Sequence, residues 1–409
     1  MKKIMILGAG VYQVPLIEQA KKMGLYTIAV SPEGRYPGLV IADKVFNIDV
    51  RDEDTILEIA RAEKILGVIT DQTDLAVRTV AYVAEKMNLP GIGYETARLF
   101  TDKCLMRKKT GELGLPTIDY RVVTALDEAI EFFKKCNGRA IIKPVDNQGS
   151  RGVYLIDSIR ELEARFFKAM SYSPTRKVII EQHIRGREFE VDSIVVNYKE
   201  KTLMYGDTDL YDIPNVFASK TRLYPSDADE KTINKLLKLN HDIVTGFGLK
   251  QGFTNNEYIQ DENTGEIYLI EAAARGGGSF ISSHIGRLQS GINTSEFLLK
   301  LAMGEIKELP EFETAQCHCG YVSFYLPEGE VINMDSVEQV KTLPFISKHS
   351  LDDIYPGLKT GPFSDKTARN VIILSAETRD ELNGRVKEIR EKLDIKVRTR
   401  RGTEGPIWE

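Results

Sequence analysis

Cysteine is scarce, with four residues in 409. That is too few for a disulfide framework and fits a reducing cytoplasm. Long hydrophobic runs are also missing: no segment approaches the ~20 apolar residues of a membrane span, so no membrane partner is expected. The opening Met1-Lys2-Lys3-Ile4-Met5-Ile6-Leu7-Gly8 has the charge of a signal peptide but too short an apolar stretch, and it reads as a first β-strand. There is no excess of positive charge. Lysine and arginine number 55 against 60 aspartates and glutamates, a formal net charge of -5, so a nucleic-acid partner is not expected. Metal-ligating residues form one small group, Cys317-His318-Cys319, with no second ligand pair. Strand alternation accounts for it, with Cys317, Cys319, Tyr321 and Ser323 on one face. Familiar nucleotide signatures are absent too: there is no GxxxxGK[ST] loop and no kinase-type motif set. Gly8-x-Gly10-x-x-Gln13 lacks the third glycine that a dinucleotide fingerprint needs for close helix–strand packing.

What remains is an ordinary globular composition, 42% hydrophobic and 28% charged. The length suggests about two to four domains or subdomains. Residues 3–7, 27–30, 45–48 and 68–70 read as strands, alternating with helices over 14–23 and 55–63. This alternation predicts a Rossmann-like parallel sheet in residues 1–95. Asp71-Gln72-Thr73-Asp74 follows the last of these strands. It reads equally as a polar-substrate contact at the sheet edge and as a helix cap. A helix over 95–114 ends at Gly114-Leu115-Pro116, and another opens near Thr124. In residues 139–153 two apolar strands flank Asp146-Asn147-Gln148-Gly149-Ser150-Arg151-Gly152. Such a glycine loop can turn several N–H groups toward an anion, with Lys143 and Arg151 adding charge. A plain hairpin fits the same stretch.

Strands are also expected over 178–181 and 188–196. In the second, Glu188, Glu190 and Asp192 alternate with apolar neighbours, so one face is acidic. A long helix follows over 226–245, its acidic first turn suiting the helix dipole. Strands over 252–258 and 267–271 form a hairpin that brings Glu257 and Glu271 toward each other. Arg275-Gly276-Gly277-Gly278-Ser279 comes at once. The last residues carry strands over 321–326 and 370–375 and a helix over 379–393 with an apolar stripe. Neither an internal repeat nor a low-complexity linker interrupts the chain.

Lysines, oriented N–H groups and a carboxylate pair are what a nucleoside triphosphate with Mg²⁺ requires. An arginine beside them can stabilise charge during phosphoryl transfer. Taken singly, Lys103 reads also as a solvated helix lysine and Glu257 as a surface acid. Lys143, at the end of a buried strand, is harder to explain without a partner.

As an ordered set these residues resemble the ATP-grasp superfamily, in the branch that includes biotin carboxylase and carbamoyl-phosphate synthase. The motifs are Asp102-Lys103-Cys104-Leu105-Met106-Arg107, Ile142-Lys143-Pro144, Gln148-Gly149-Ser150-Arg151-Gly152-Val153, Gly186-Arg187-Glu188-Phe189-Glu190-Val191-Asp192, Glu257, and Glu271 with Arg275. The resemblance implies an α/β, grasp-type α+β architecture. Residues 1–95 would form a Rossmann-like pre-ATP-grasp domain. Residues 96–312 would form the ATP-grasp domain, with a mobile glycine-loop lid in 140–205, and residues 313–409 a small α+β domain. It further implies that ATP is bound by Lys103, Lys143, Gly149, Ser150, Gly152, Glu181, Gln182, Ile184 and Glu188. Glu257 and Glu271 would hold Mg²⁺, with Mn²⁺ as a substitute, and Arg275 would be catalytic. Where the family pattern is Glu-x-Asn-x-Arg this chain has Glu271-Ala272-Ala273-Ala274-Arg275, so one metal ligand is lost.

The implied activity is an ATP-dependent carboxylate–amine ligase that works through an acyl-phosphate, on small-molecule substrates and as a homodimer. Gln13, Asp71, Gly277, Ser279 and His284 are the candidate substrate residues, His284 reading also as a packing residue. A bicarbonate- or carbamate-using enzyme of the carbamoyl-phosphate-synthase or biotin-carboxylase kind is the alternative within the superfamily. A non-catalytic nucleotide-binding protein and an NAD-binding dehydrogenase are the alternatives outside that chemistry.

Overall fold

The first strands follow from buried apolar runs, and each run finds a parallel neighbour. Lys44–Asn47, Tyr26–Ser31, Lys3–Leu7 and Gly67–Ile69 lie side by side in that order as a parallel sheet. Helices Val14–Lys22, Pro37–Ile41 and Glu53–Glu63 connect them, and Val77–Lys86 follows the last strand. The turns after Leu7 and Ile69 therefore share the carboxyl edge, where such sheets present their sites. A computed structural model supplies these coordinates and describes residues 1–136, 138–147, 149–362 and 368–409. No described helix is long and apolar enough to cross a membrane.

The helix expected over 95–114 is two helices, Tyr94–Leu99 and Lys103–Glu112. Asp102 breaks it. Its backbone is extended, and its carboxylate accepts the N–H groups of Cys104 and Leu105 at 2.9 and 3.1 Å. An Asp at a helix start satisfies N–H groups that have no partner within the helix. The helix expected over 226–245 is Glu230–Gly246, for the same reason: Asp229 accepts from the Thr232 N–H.

A second, antiparallel sheet has the order Tyr120–Val123, Val178–Gln182, Ala140–Pro144, Tyr154–Ile156. Helices Leu126–Lys135 and Ile159–Ser171 cover it through Phe132, Phe133, Leu162 and Phe166. A third sheet has eight strands, in the order Ile267–Ala273, Gly252–Asp261, Gly186–Val196, Lys199–Leu210, Ser219–Tyr224, His318–Phe324, Asn370–Ala376, Ile346–His349. It forms the floor of the molecule and continues without a break from the middle of the chain into the last hundred or so residues. Strands 199–210 and 219–224 escape sequence reading because their polar and apolar residues mix. Gly186–Val196 and Lys199–Leu210 pair in this floor, whereas the smaller sheet lies within 120–182. The strand partners thus divide the chain differently from the expected 140–205 boundary. Phe189, Val191 and Val195 pack under helix Glu230–Gly246 with Leu236, Leu239 and Ile243. Alternation then turns Glu188, Glu190 and Asp192 to the opposite face. The C-terminal helix Arg379–Lys392 buries Leu382, Val386 and Ile389.

Candidate active site

A cleft separates the four-stranded antiparallel sheet from the eight-stranded floor. On the floor, Glu257 and Glu271 are direct cross-strand partners, which places their Cβ atoms about 4.5–5.5 Å apart. Glu190 is the partner of Glu257 on the other side, and Asp192 that of Asn255. The strand register therefore gathers residues from three chain segments onto one polar face. Cations from elsewhere answer them. Lys103 Nζ lies 2.7 Å from Glu271 Oε1, and Arg222 lies 2.5 Å from Glu257 Oε1 and also pairs with Glu190. Burial depresses the Lys103 ammonium, but Glu271 outweighs it and the pKa ends above the ordinary lysine value.

The opposite wall is built around Glu181, which is buried between two cations. Arg107 Nε is 2.8 Å from one carboxylate oxygen and Lys143 Nζ is 2.5 Å from the other. Burial alone would raise this carboxyl, but the cations hold it at about 2. Burial, helped by Arg107 and Lys103, pushes Lys143 below the usual lysine range despite Glu181. The Glu181 side chain thus sets the lysine rather than facing the cleft alone. Gln182 and Ile184 line the cleft, as does Glu188; the Gln182 N–H is engaged by the Asp119 carbonyl at 2.9 Å. In the glycine loop Gly149, Ser150 and Gly152 have φ of 69°, 60° and 78°, the left-handed region where glycine costs least. The loop reaches across the cleft: Ser150 Oγ donates to the Phe217 carbonyl at 2.9 Å, and Lys103 Nζ donates to the Asn147 carbonyl at 3.0 Å. Gln148 lies outside the described residues.

At the far end of the floor, Asp74 clamps Arg275 with bonds of 2.9 and 2.8 Å, and Asn255 Oδ1 accepts from Arg275 at 3.0 Å. Asp71 accepts the Gly276 N–H at 3.0 Å. Burial pushes its carboxyl up to about 6 and that of Asp192, beside Gly277, up to about 7. The stretch 71–74 therefore anchors the Arg275–Ser279 loop instead of capping the next helix, which has no side-chain cap. Gln13 bridges the two sheet-edge turns, accepting from Gly10 N–H at 3.0 Å and donating to the Asp71 carbonyl at 2.7 Å. The N–H that a dinucleotide phosphate would need is thereby already used. Ser279 and Phe280 both have positive φ, 56° and 62°, and lead into a π-helical turn, Ile281–Ile285. Such strain and such turns concentrate at functional sites. His284 sits in that turn 2.9 Å from Ser283 Oγ, and burial holds it at about 4, hence neutral at physiological pH.

The donor set suits a hard divalent cation: two adjacent carboxylates, with room for phosphate oxygens beside them. Ala273 offers no oxygen. Its cross-strand partner is Asn255, whose amide is spent on Arg275, Glu190 and Asp192. Sequence reasoning missed Arg222 and Asn255 as parts of the site, and it placed Arg107 in a motif and Asp74 in a sheet-edge turn without identifying their partners Glu181 and Arg275. The acidic alternation at 188–192 was the one signal that buried cations had to be found nearby.

Residues 137–283 match the family model described as an ATP-grasp domain. Among curated proteins, the chain is 25% identical over 296 residues to the carbamoyl phosphate synthase large chain of Clostridium botulinum, covering 67% of this chain and 27% of that one. The chain thus spans about a quarter of the length of that relative. It is 24% identical over 293 residues to a formate-dependent phosphoribosylglycinamide formyltransferase of Methanocella arvoryzae, covering 67% and 66%. Among solved structures, an L-amino acid ligase from Bacillus licheniformis superposes with a TM-score of 0.82 at 22% identity, covering 97% of this chain and 98% of that one. At that identity the likeness speaks for the fold.

Proposed function

The chain carries an ATP-grasp domain, and from that premise we propose that the protein is an ATP-dependent carboxylate–amine ligase. The observation that carries this reading is the cleft itself, with lysines 103 and 143 and the glycine loop facing a cross-strand carboxylate pair. In the proposed reaction a substrate carboxylate oxygen attacks the γ-phosphorus of ATP, and the bond to the β–γ bridging oxygen breaks. ADP leaves with that electron pair. An amine then attacks the acyl carbon, phosphate leaves, and the amine gives up a proton. Lys143 and the loop 146–152 hold the phosphates, and the loop closes over them. Glu257 and Glu271 are the residues that would hold Mg²⁺, which neutralises developing phosphate charge when bound. Arg275 stabilises the acyl-phosphate. Gln13 and Asp71 support the substrate end, and Gly277, Ser279 and His284 border it. The lid is proposed as the unit 120–182, between the pre-ATP-grasp part and the floor. A cytoplasmic homodimer belongs to the same reading.

ADP release tests it, measured with ATP, Mg²⁺ and paired panels of carboxylic acids and amines, with mass detection of the joined product. Release that depends on both an acid and an amine is expected. Tight NADH binding with no ATP binding would overturn the proposal. ADP release with bicarbonate in place of the acid would move it to the carbamate-forming alternative.

A further inference from the structure

We propose that Ile407 is a positioning residue for the nucleotide site: it props the segment 211–218, and that segment holds the glycine loop across the cleft before ATP arrives. The inference rests on the nucleotide-binding part of the reading above and goes beyond it, since none of the motifs that carry the resemblance lies past Arg275.

Segment 211–218 joins the floor strands Lys199–Leu210 and Ser219–Tyr224. Its two ends close on each other, the Tyr211 N–H donating to the Ala218 carbonyl at 3.1 Å. Its tip meets the smaller sheet at two points. The Phe217 carbonyl accepts from Ser150 Oγ at 2.9 Å, and Asn215 Oδ1 accepts the Leu155 N–H at 3.2 Å. Leu155 belongs to strand Tyr154–Ile156, which follows the glycine loop. Phe217 also lines the cleft. The segment thus ties the floor both to the glycine loop and to the strand behind it.

Two hydrogen bonds between loops contribute little unless both partners are already in place. The support comes from residues 407–409. The Ile407 N–H donates to the Tyr325 carbonyl at 2.9 Å, and the Ile407 carbonyl accepts the Tyr325 N–H at 3.1 Å. The Ile407 side chain, with Ile213 and Val216 of the segment, packs against buried Tyr211, Ala218 and Tyr325. Tyr211 is held further, its ring 5.1 Å from that of Tyr325 and its hydroxyl 3.0 Å from Ser323 Oγ. The two residues after Ile407 are held as well. Trp408 lies on Phe324 with ring centroids 5.0 Å apart, and Glu409 pairs with Arg390 at 2.8 Å and with Lys220, two residues past the segment. A connecting loop with few apolar contacts opens at little cost. Ile407 supplies such a contact from nearly 200 residues away in the sequence, so the segment is ordered before the nucleotide binds.

The test uses the full chain with Ile407→Ala, Ile407→Val and Asn215→Ala, and three readouts. These are the Kd of ADP with Mg²⁺ by calorimetry, kcat and KM for ATP in ADP release, and amide hydrogen exchange with and without ADP. In Ile407→Ala, exchange at residues 149–155 and 211–218 should quicken by about tenfold without nucleotide and return toward wild type with ADP. The Kd of ADP and the KM for ATP should rise by about 5–10-fold, because only a fraction of the molecules then holds the binding-competent loop. At saturating ATP, kcat should stay within about twofold of wild type. Asn215→Ala should weaken ADP binding to the same degree, and the double variant no further, since both changes break one connection. Ile407→Val, which keeps most of the apolar side chain, should bind ADP as the wild type does. A role in global stability alone would lower Tm and the active fraction, and hence kcat, with KM unchanged. That result overturns the proposal, as does unchanged exchange at 149–155. Should Ile407→Ala fail to fold, Asn215→Ala decides, because wild-type ADP binding by that variant shows that the segment does not hold the loop. If the wild type releases no ADP with any acid and amine, the ligase reading falls, and the Kd of ADP still decides the role of Ile407. If the wild type turns over and Ile407→Ala matches it in KM and Kd, only the role of Ile407 falls.

Discussion

The two walls of the cleft are charged in opposite senses. On the side of the smaller sheet one carboxylate, Glu181, lies between two cations, Lys143 of that sheet and Arg107 of the helix Lys103–Glu112. On the floor the acids outnumber the cations: Glu190 and Glu257 share Arg222, and Glu271 pairs with Lys103. A wall with surplus positive charge attracts polyphosphate, whereas a wall with surplus carboxylate attracts a metal cation. A metal–triphosphate placed between them meets both demands at once. In the proposed reaction the glycine loop would close over the ligand, while the floor holds a strand register.

The comparison breaks most visibly at Glu271. Glu271→Gln is expected to lower the rate of ADP release by about 100-fold or more, because the floor would lose a proposed metal ligand and Lys103 its partner. ADP release at the wild-type rate would show that the floor holds no catalytic metal. Next comes Lys143→Met on the other wall. It should raise KM for ATP and reduce kcat by about 10–100-fold, with Mn²⁺ binding in the absence of nucleotide unchanged. If metal binding fell as well, the two walls would not be separate in function.

Arg107→Met reads stability more than chemistry. It leaves buried Glu181 with a single partner, and breaking a buried pair in this way costs about 3–5 kcal/mol, visible as a lower melting temperature at pH 7. The loss should shrink in acid. Glu181 has a folded pKa of about 2 against 4.5 in the open chain. Its stabilising contribution is thus complete above pH 4.5 and is lost as the pH falls toward 2. A melting temperature unchanged by Arg107→Met would remove Glu181 from the lid argument.

Asp71 gives the smallest effect and the opposite sign. Its pKa rises from 3.8 to about 6 on folding, so ionising it costs stability as pH rises through that window. Asp71→Asn keeps an acceptor for the Gly276 N–H without the charge. It should melt a few degrees above the wild type at pH 8, with the gap closing toward pH 4. An equal gap at every pH would mean that the carboxylate is not the strained group.

Much of this protein was legible in its residues. The alternation in 186–196 announced a strand with one acidic face, and the run Ala140-Ile141-Ile142 ending in Lys143 announced a buried lysine. Both signals are local, since side-chain direction along a strand has a period of two. The glycine loop and the Glu257–Glu271 hairpin were readable for the same reason, because their partners are close in sequence. Helix starts at Asp102 and Asp229 were misjudged by several residues, as caps compete with helical periodicity over one turn. What no local pattern could specify is who answers the buried charge. Arg107 meets Glu181 across 74 residues, and Arg275 meets Asp74 across 201. A buried ion must find its partner wherever the fold brings one. The sequence by itself determined the strands, the loop and the identities of the charged groups. Only the tertiary structure decided which cation faces which carboxylate, because strand order and register, not chain order, set those distances.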